Sequence, residues 1–132
     1  MPSLKLEELR VYLLAEAVAD AIWDEVVTWE PFAKDTVGKQ LVRAADSIGA
    51  NIAEGYGRGS FLDNKRFVKI ARGSLYEVRH FLRRADKRGL ISAEQRKHLH
   101  PLLRELPPTL NGYLKSIGRV PPPEDEDATN DK

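Results

Sequence analysis

A row of basic residues is the part of this sequence whose residue types and spacing suit a definite chemistry. Its members recur every three or four residues, so a helix would carry them on one face. The cations are Lys65, Lys69, Arg72, Arg79, Arg83 and Lys87, and Tyr76 lies among them on the same face. On a helix the row is about 33 Å long, and its cations would neutralise the phosphates of a nucleic acid. We call it the basic row and predict that it binds RNA or DNA.

The uneven distribution of charge leaves other uses for this face open. The chain has a net charge of only +1, but residues 1–35 sum to −5 and residues 58–88 sum to +7. An acidic face that contains Asp20 and Asp24 could therefore pair with the basic row, within one chain or between copies. The row could also be an ordinary solvated helix face.

The candidate catalytic motifs lack the partners that catalysis needs. Glu77 and His80 have the spacing of one di-iron ligand pair, but a di-iron bundle needs a second pair and two more inward glutamates. His98 and His100 lie two residues apart and cannot share a helical face. We therefore expect no enzyme, no catalytic residue, no metal site and no cofactor, and RNA cleavage by either histidine stays as the alternative.

The glycine-rich segment at residues 55–60, GYGRGS, invites comparison with a phosphate-binding loop. A dinucleotide-binding fingerprint follows a strand, and a P-loop ends in Gly-Lys followed by Ser or Thr. Neither feature is present here. Although backbone amides at the start of the next helix could meet an anion, the residues predict a turn and a helix cap.

Length and composition narrow the class of protein. The 132 residues are typical of one domain, and the absence of cysteine excludes disulfides and thiolate zinc sites. No run of about 18 apolar residues exists, so we expect no membrane span. The N-terminal residues lack the apolar run of a signal peptide, and we expect a cytoplasmic protein.

Apolar stripes of helical period predict four helices and no strand. The first stripe runs from Tyr12 to Trp29, and Pro31 is expected to end that helix. The second helix is predicted from about Thr36 to Ala53. Small residues keep it thin, and the glycines that follow predict its end.

Capping signals set the bounds of the next two helices. Ser60 is the predicted cap of the third helix and Gly89 its terminator, while Ser92 with Gln95 opens the fourth helix as a capping box. Three prolines fall inside the fourth helix, at Pro101, Pro107 and Pro108. Because an interior proline costs about 3 kcal/mol or more, we expect this helix to be kinked or broken near Leu106.

Together these elements predict an all-α fold, an antiparallel up-down-up-down four-helix bundle over residues 1–118. Residues 119–132 are rich in proline and acidic residues and predict a disordered tail. A few apolar residues lie beside the main stripes, namely Leu14, Val18, Leu75 and Leu82. They either widen the core of one chain or form a surface for self-association.

Two polar residues interrupt the small-residue helix near its apolar face. They are Asn51 and Glu54. Since a buried polar group must be hydrogen-bonded or it costs a few kcal/mol, we predict a structural role that ties the second helix to the third. Glu54 would pair with Arg58 or with a neighbouring subunit.

Residues 40–60, QLVRAADSIGANIAEGYGRGS, and the run Gly73-Ser74-Leu75-Tyr76-Glu77 resemble one family closely. It is the four-helix bundle family encoded by intervening sequences within bacterial large-subunit ribosomal RNA genes. The accessory proteins of diversity-generating retroelements are a related branch. The resemblance covers residues 8–118, and its motif positions are Arg43, Asn51, Glu54, Gly55, Ser74 and Glu77.

This resemblance implies a four-helix bundle that assembles into a ring, typically a homopentamer, without enzymatic activity. The retroelement branch implies a nucleic-acid-binding partner of a reverse transcriptase. We therefore expect a homo-oligomer that binds RNA, DNA or a nucleic-acid enzyme through its third helix. A pure assembly protein without a nucleic-acid ligand is the alternative.

Overall fold

Four helices make up the computed structural model, which describes residues 4–119. They are α1 (Arg10–Val26), α2 (Lys39–Tyr56), α3 (Phe61–Lys87) and α4 (Ala93–Ser116), and a short 3-10 helix at Leu6–Glu8 precedes them. Among residues 4–119 there is no strand. The predicted all-α class is confirmed, and the predicted tail lies outside the described residues except for Arg119.

Neighbouring helices contact each other through opposite ends. Helix α1 contacts α2 at Ala15 with Gly49, and Val26 at its end contacts Gly38 just before α2. Helix α2 contacts α3 at Ser47 with Ser74 and at Gly55 with Asn64. Helix α3 contacts α4 at Arg72 with Asn111 and at Asp86 with Arg96. Arg10 of α1 contacts Glu105 of α4, and Glu25 of α1 contacts Ser92 just before α4. Each of these four neighbouring pairs is therefore antiparallel, as expected of a four-helix bundle with short connections.

Apolar residues from all four helices form one core, and the residues that flank the predicted stripes belong to it. Leu14, Val18 and Leu75 are 5%, 0% and 2% exposed. These three residues therefore widen the core of the single chain and are not available for self-association. Leu82 is half-buried and lies at the boundary between α3 and α4.

The start of the second helical segment differs from the prediction. Pro31 does not follow the first helix directly: α1 ends at Val26, and Pro31 begins a helical turn (Pro31–Ala33) that Glu30 caps. A proline fits there because the first turn of a helix needs no amide hydrogen from it. A π-helical turn (Lys34–Gly38) then leads into α2, which continues past the predicted end at Ala53 to Tyr56.

The break predicted near Leu106 is absent, and that prediction is wrong. The structure shows α4 as one helix through all three prolines. The carbonyl groups that lose an amide partner belong to Lys97, Leu103 and Arg104, four residues earlier, and these residues are exposed or half-buried, so water can reach that side of the helix. The predicted kink stays a prediction.

A buried carboxylate joins the end of α1 to the start of α4. Glu25 is 6% exposed, and it accepts hydrogen bonds from Trp29 Nε1 and from the amide and hydroxyl of Ser92, each at 3.1 Å. The Ser92 hydroxyl also accepts a hydrogen bond from the Gln95 amide as the cap of α4. The reciprocal half of the predicted capping box is absent, because the Ser92 amide donates to Glu25 and not to the Gln95 side chain. Three donors therefore compensate for the burial of one charge, and they fix where α4 begins.

The seam between α2 and α3 determines which face of α3 points inward. Ser47 and Ser74 hydroxyls lie 2.8 Å apart across it. At Gly55 the helices are so close that an added Cβ would lie 2.7 Å from Asn64 Oδ1 and 3.0 Å from the Asn64 carbonyl oxygen. Glycine is thus the residue that this approach requires.

We expect Gly55→Ala to lower the free energy of unfolding by about 1–3 kcal/mol, because the added methyl group overpacks the seam and the Asn64 backbone must move. Gly73→Ala is the matched control. Gly73 lies inside α3 with open space around its Cβ position, so alanine should raise stability there by about 0.5–1 kcal/mol. Urea denaturation measures both. Equal effects of the two changes would contradict the close seam.

Candidate nucleic-acid interface

The third helix buries one face and carries cations on another, because its apolar and basic positions follow the same period with an offset. Its inner face buries Val68, Ala71, Ser74, Leu75 and Val78. The Ser60 hydroxyl caps the start of the helix by accepting a hydrogen bond from the Asp63 amide at 3.1 Å. Gly89 follows the end of the helix and has a positive φ of 73°. Both predicted ends of this helix are confirmed.

The basic row lies on the opposite face of α3 and carries uncompensated charge. Lys69, Arg79, Arg83 and Lys87 are exposed, and Lys65 and Arg72 are half-buried. Within residues 4–119 none of these six cations is in an ion pair. The Arg79 guanidinium lies 5.5 Å from the centre of the Tyr76 ring. Pairing of the row with Asp20 or Asp24 in the same chain is therefore not observed.

The cations at the start of α3 are engaged in other contacts. Arg66 pairs with Asp63 at 3.5 Å, and Arg58 pairs with Glu54 at 3.1 Å. Both guanidinium groups also lie over the Phe67 ring, at 4.7 and 4.9 Å from its centre. These arginines stabilise the α2–α3 turn, and they are less free to bind a ligand than the basic row.

A groove of about 570 Å³ between α3 and α4 extends the basic surface. Arg79 and Arg83 of the basic row form one side of it, and α4 contributes further basic groups, which are Arg96, His100 and Arg104. Arg96 pairs with Asp86, the acidic residue of the groove. At the far end, Arg72 donates a hydrogen bond to Asn111 of α4 at 3.4 Å.

The basic groups of α4 were not predicted, although the sequence carries a signal for them. Arg96, His100 and Arg104 recur at steps of four residues, so they share one face of a helix. What the sequence does not state is that this face adjoins the basic row. That neighbourhood follows only from the way in which α4 packs beside α3.

The comparison with protein families identifies the chain. The family model described as 23S rRNA-intervening sequence protein matches residues 7–112. The chain belongs to this family. The matched range contains the whole basic row and every residue that lines the α3–α4 groove. No individual curated protein matches the chain, and the link to retroelement accessory proteins stays a prediction.

The residues of the motif that resembles the 23S rRNA-intervening sequence proteins occupy different places in the structure. Asn51 donates hydrogen bonds to the Ser47 carbonyl at 2.8 Å and to its hydroxyl at 3.0 Å, and Ser47 contacts Ser74. These residues and Gly55 lie at the α2–α3 seam. Glu54 is exposed and pairs with Arg58, so it is not the buried polar group that the sequence predicted. Arg43 and Glu77 are exposed as well.

An acidic groove of about 260 Å³ lies between α1 and α2 of this family member. Its floor consists of small residues, namely Ala15, Ala19, Ala45, Gly49, Ala50 and Ala53. Glu16, Asp20 and Asp46 supply its carboxylates. Tyr12 lies at its edge, and burial and the Glu16 carboxylate raise the pKa of its hydroxyl. The α1–α2 groove and the α3–α4 groove thus carry opposite charge.

No group of three or more acidic or histidine side chains that could hold a metal ion is found among residues 4–119. Glu77 and His80, which have the spacing of a di-iron ligand pair, are both exposed. His98 and His100 are exposed as well, and His100 lines the basic groove. None of the helices in the described part of the chain is long and apolar enough to cross a membrane.

Proposed function

We propose that this 23S rRNA-intervening sequence protein is a non-enzymatic bundle that binds the backbone of RNA or DNA through the basic row and the neighbouring cations of α4. The observation that supports this most is the row of six cations without an ion pair, continued by the basic rim of the α3–α4 groove. A nucleic-acid ligand implies that the protein is cytoplasmic. A nucleic-acid enzyme such as a reverse transcriptase would be a further partner, because it would bind the same RNA or DNA.

The dimensions of the row suit a polyanion. Its length of about 33 Å corresponds to about ten nucleotides of a duplex strand at 3.4 Å each. Each neutralised phosphate releases condensed counterions, and this release makes affinity fall steeply with salt. A ring of several chains would present several rows and raise the affinity further by avidity.

Charge reversal on the row should remove this binding. Lys69→Glu combined with Arg79→Glu changes two exposed positions of α3. At about 0.1 M salt each lost phosphate contact lowers the association constant about eightfold, so we expect a loss of at least about 50-fold and a salt slope smaller by about two. Fluorescence anisotropy with labelled RNA and DNA measures both quantities.

The control for this pair is Lys5→Glu combined with Lys34→Glu, which changes the net charge by the same amount at exposed positions outside α3 and α4. It should reduce affinity only slightly. If both double variants lose affinity equally, the binding reflects net charge and not the basic row. Circular dichroism verifies that each variant keeps its helices.

The second candidate function is homo-oligomeric assembly, and the two oppositely charged grooves favour it. The acidic α1–α2 groove of one copy could receive the basic α3–α4 surface of the next. Because the two surfaces differ, the contact is heterologous and closes into a ring when the rotation allows it. The family resemblance suggests five subunits. In this scheme assembly and nucleic acid compete for the same cations.

Reversing the acidic groove tests this assembly. Asp20→Lys combined with Asp46→Lys should lower the association constant between copies by at least about tenfold, because like charges then face each other. Light scattering gives the mass as a multiple of 14.9 kDa. Asp24→Lys with Asp35→Lys, outside that groove, is the control.

Salt provides an independent measure of the same contact. At about 1 M ionic strength the Debye length falls to about 3 Å, and the wild-type oligomer should dissociate. An oligomer that resists both high salt and the Asp20/Asp46 reversal would contradict charge-driven assembly.

A further inference from the structure

The groove between α3 and α4 has apolar side chains in addition to the cations that a phosphate site requires. Beneath its basic rim lies an apolar floor made of Leu82, Ile91, Leu99, Leu103 and Pro107. Four of these residues are only half-buried, so a ligand can contact them, while Leu99 is 3% exposed. Backbone binding by counterion release needs cations alone. The floor therefore fits a ligand that has an apolar part as well as negative charge.

The rim offers planar groups of the kind that stack on nucleobases. Arg79, Arg83, Arg96 and Arg104 carry guanidinium planes and His100 an imidazole ring, and both types of group stack on unpaired bases in RNA-binding proteins. The volume of about 570 Å³ falls within the range of small-molecule sites. Polar contacts that join α3 to α4 flank the groove, Arg72 with Asn111 on one side and Asp86 with Arg96 on the other.

We propose that the α3–α4 groove accepts an unstacked base of a single-stranded nucleic acid, while the adjoining phosphates lie along the basic row. This inference rests on the proposed nucleic-acid binding and specifies its substrate class. The bases of a duplex are paired and stacked, so they cannot reach the apolar floor, and a duplex gains only the backbone contacts. The groove thus gives single strands a contribution to affinity that a duplex cannot gain.

An oligomer without bases separates the two contributions. The test compares the full-length protein binding to oligothymidylate, to an abasic oligomer of the same length and charge, and to a duplex. We expect the abasic oligomer to bind at least about fivefold more weakly than oligothymidylate, the lower end of the range for one stacked base. Both single strands should show the same salt slope, because they offer the same phosphates.

Two neutral substitutions test the floor. Leu103→Gln and Ile91→Gln place an amide at half-buried groove positions, the second of them in the α3–α4 connection. Each should lower affinity for oligothymidylate towards that for the abasic oligomer and leave abasic binding unchanged. Leu102→Gln is the matched control, since Leu102 is half-buried on the same helix but does not line the groove. This variant should keep the wild-type difference in affinity between oligothymidylate and the abasic oligomer.

The outcomes distinguish this inference from the function on which it rests. Equal affinity for oligothymidylate and the abasic oligomer, with binding still lost in the Lys69/Arg79 double reversal, would overturn the base site and leave backbone binding intact. Absence of binding to all three ligands at low salt would overturn both proposals. A base-dependent difference that survives both Leu103→Gln and Ile91→Gln would place the base elsewhere and also overturn this inference.

Discussion

The close approach of α2 to α3 at Gly55 is the constraint on which the rest of the molecule depends. No side chain fits between the end of α2 and the Asn64 backbone, so the two helices meet at a separation that only glycine allows. The Ser47–Ser74 contact further along the seam then fixes the rotation of α3. With Ser74 and the apolar positions turned inward, the residues of the basic row are left on the outer surface.

That outer surface carries a cost for an isolated bundle. Like charges four residues apart destabilise a helix by a few tenths of a kcal/mol per pair, and such pairs recur in the basic row at Lys65 with Lys69, at Arg79 with Arg83 and at Arg83 with Lys87. Because none of these cations is in an ion pair within the described part of the chain, a polyanion or the acidic groove of another copy would relieve the repulsion. If copies assemble through these two surfaces, a nucleic acid and a neighbouring subunit would compete for the basic row.

Local signals in the sequence were enough for the four helices and several of their ends. Ser60, Ser92 and Gly89 act within a few residues of themselves, so their roles could be read without knowledge of the fold. Family membership followed from a contiguous motif, and the family comparison agrees with it.

The features that sequence reasoning missed include one local ambiguity, at Pro31, and two contacts between distant segments. From the sequence, Pro31 is equally compatible with the end of one helix and with the start of the next. In the structure it begins a helical turn, which Glu30 caps. Glu25 is buried because Ser92, 67 residues later, supplies donors to it. The groove cations of α4 belong to the candidate site only because α4 packs beside α3.

The central claim is that the basic row is the surface that contacts nucleic acid, and lysine footprinting tests it most directly. Lysine amines would be acetylated with and without a bound single strand, and the modified positions read by mass spectrometry. We expect protection of Lys65, Lys69 and Lys87 on α3, with Lys5 and Lys34 unchanged. Unchanged reactivity of the three α3 lysines in a saturated complex would contradict the account.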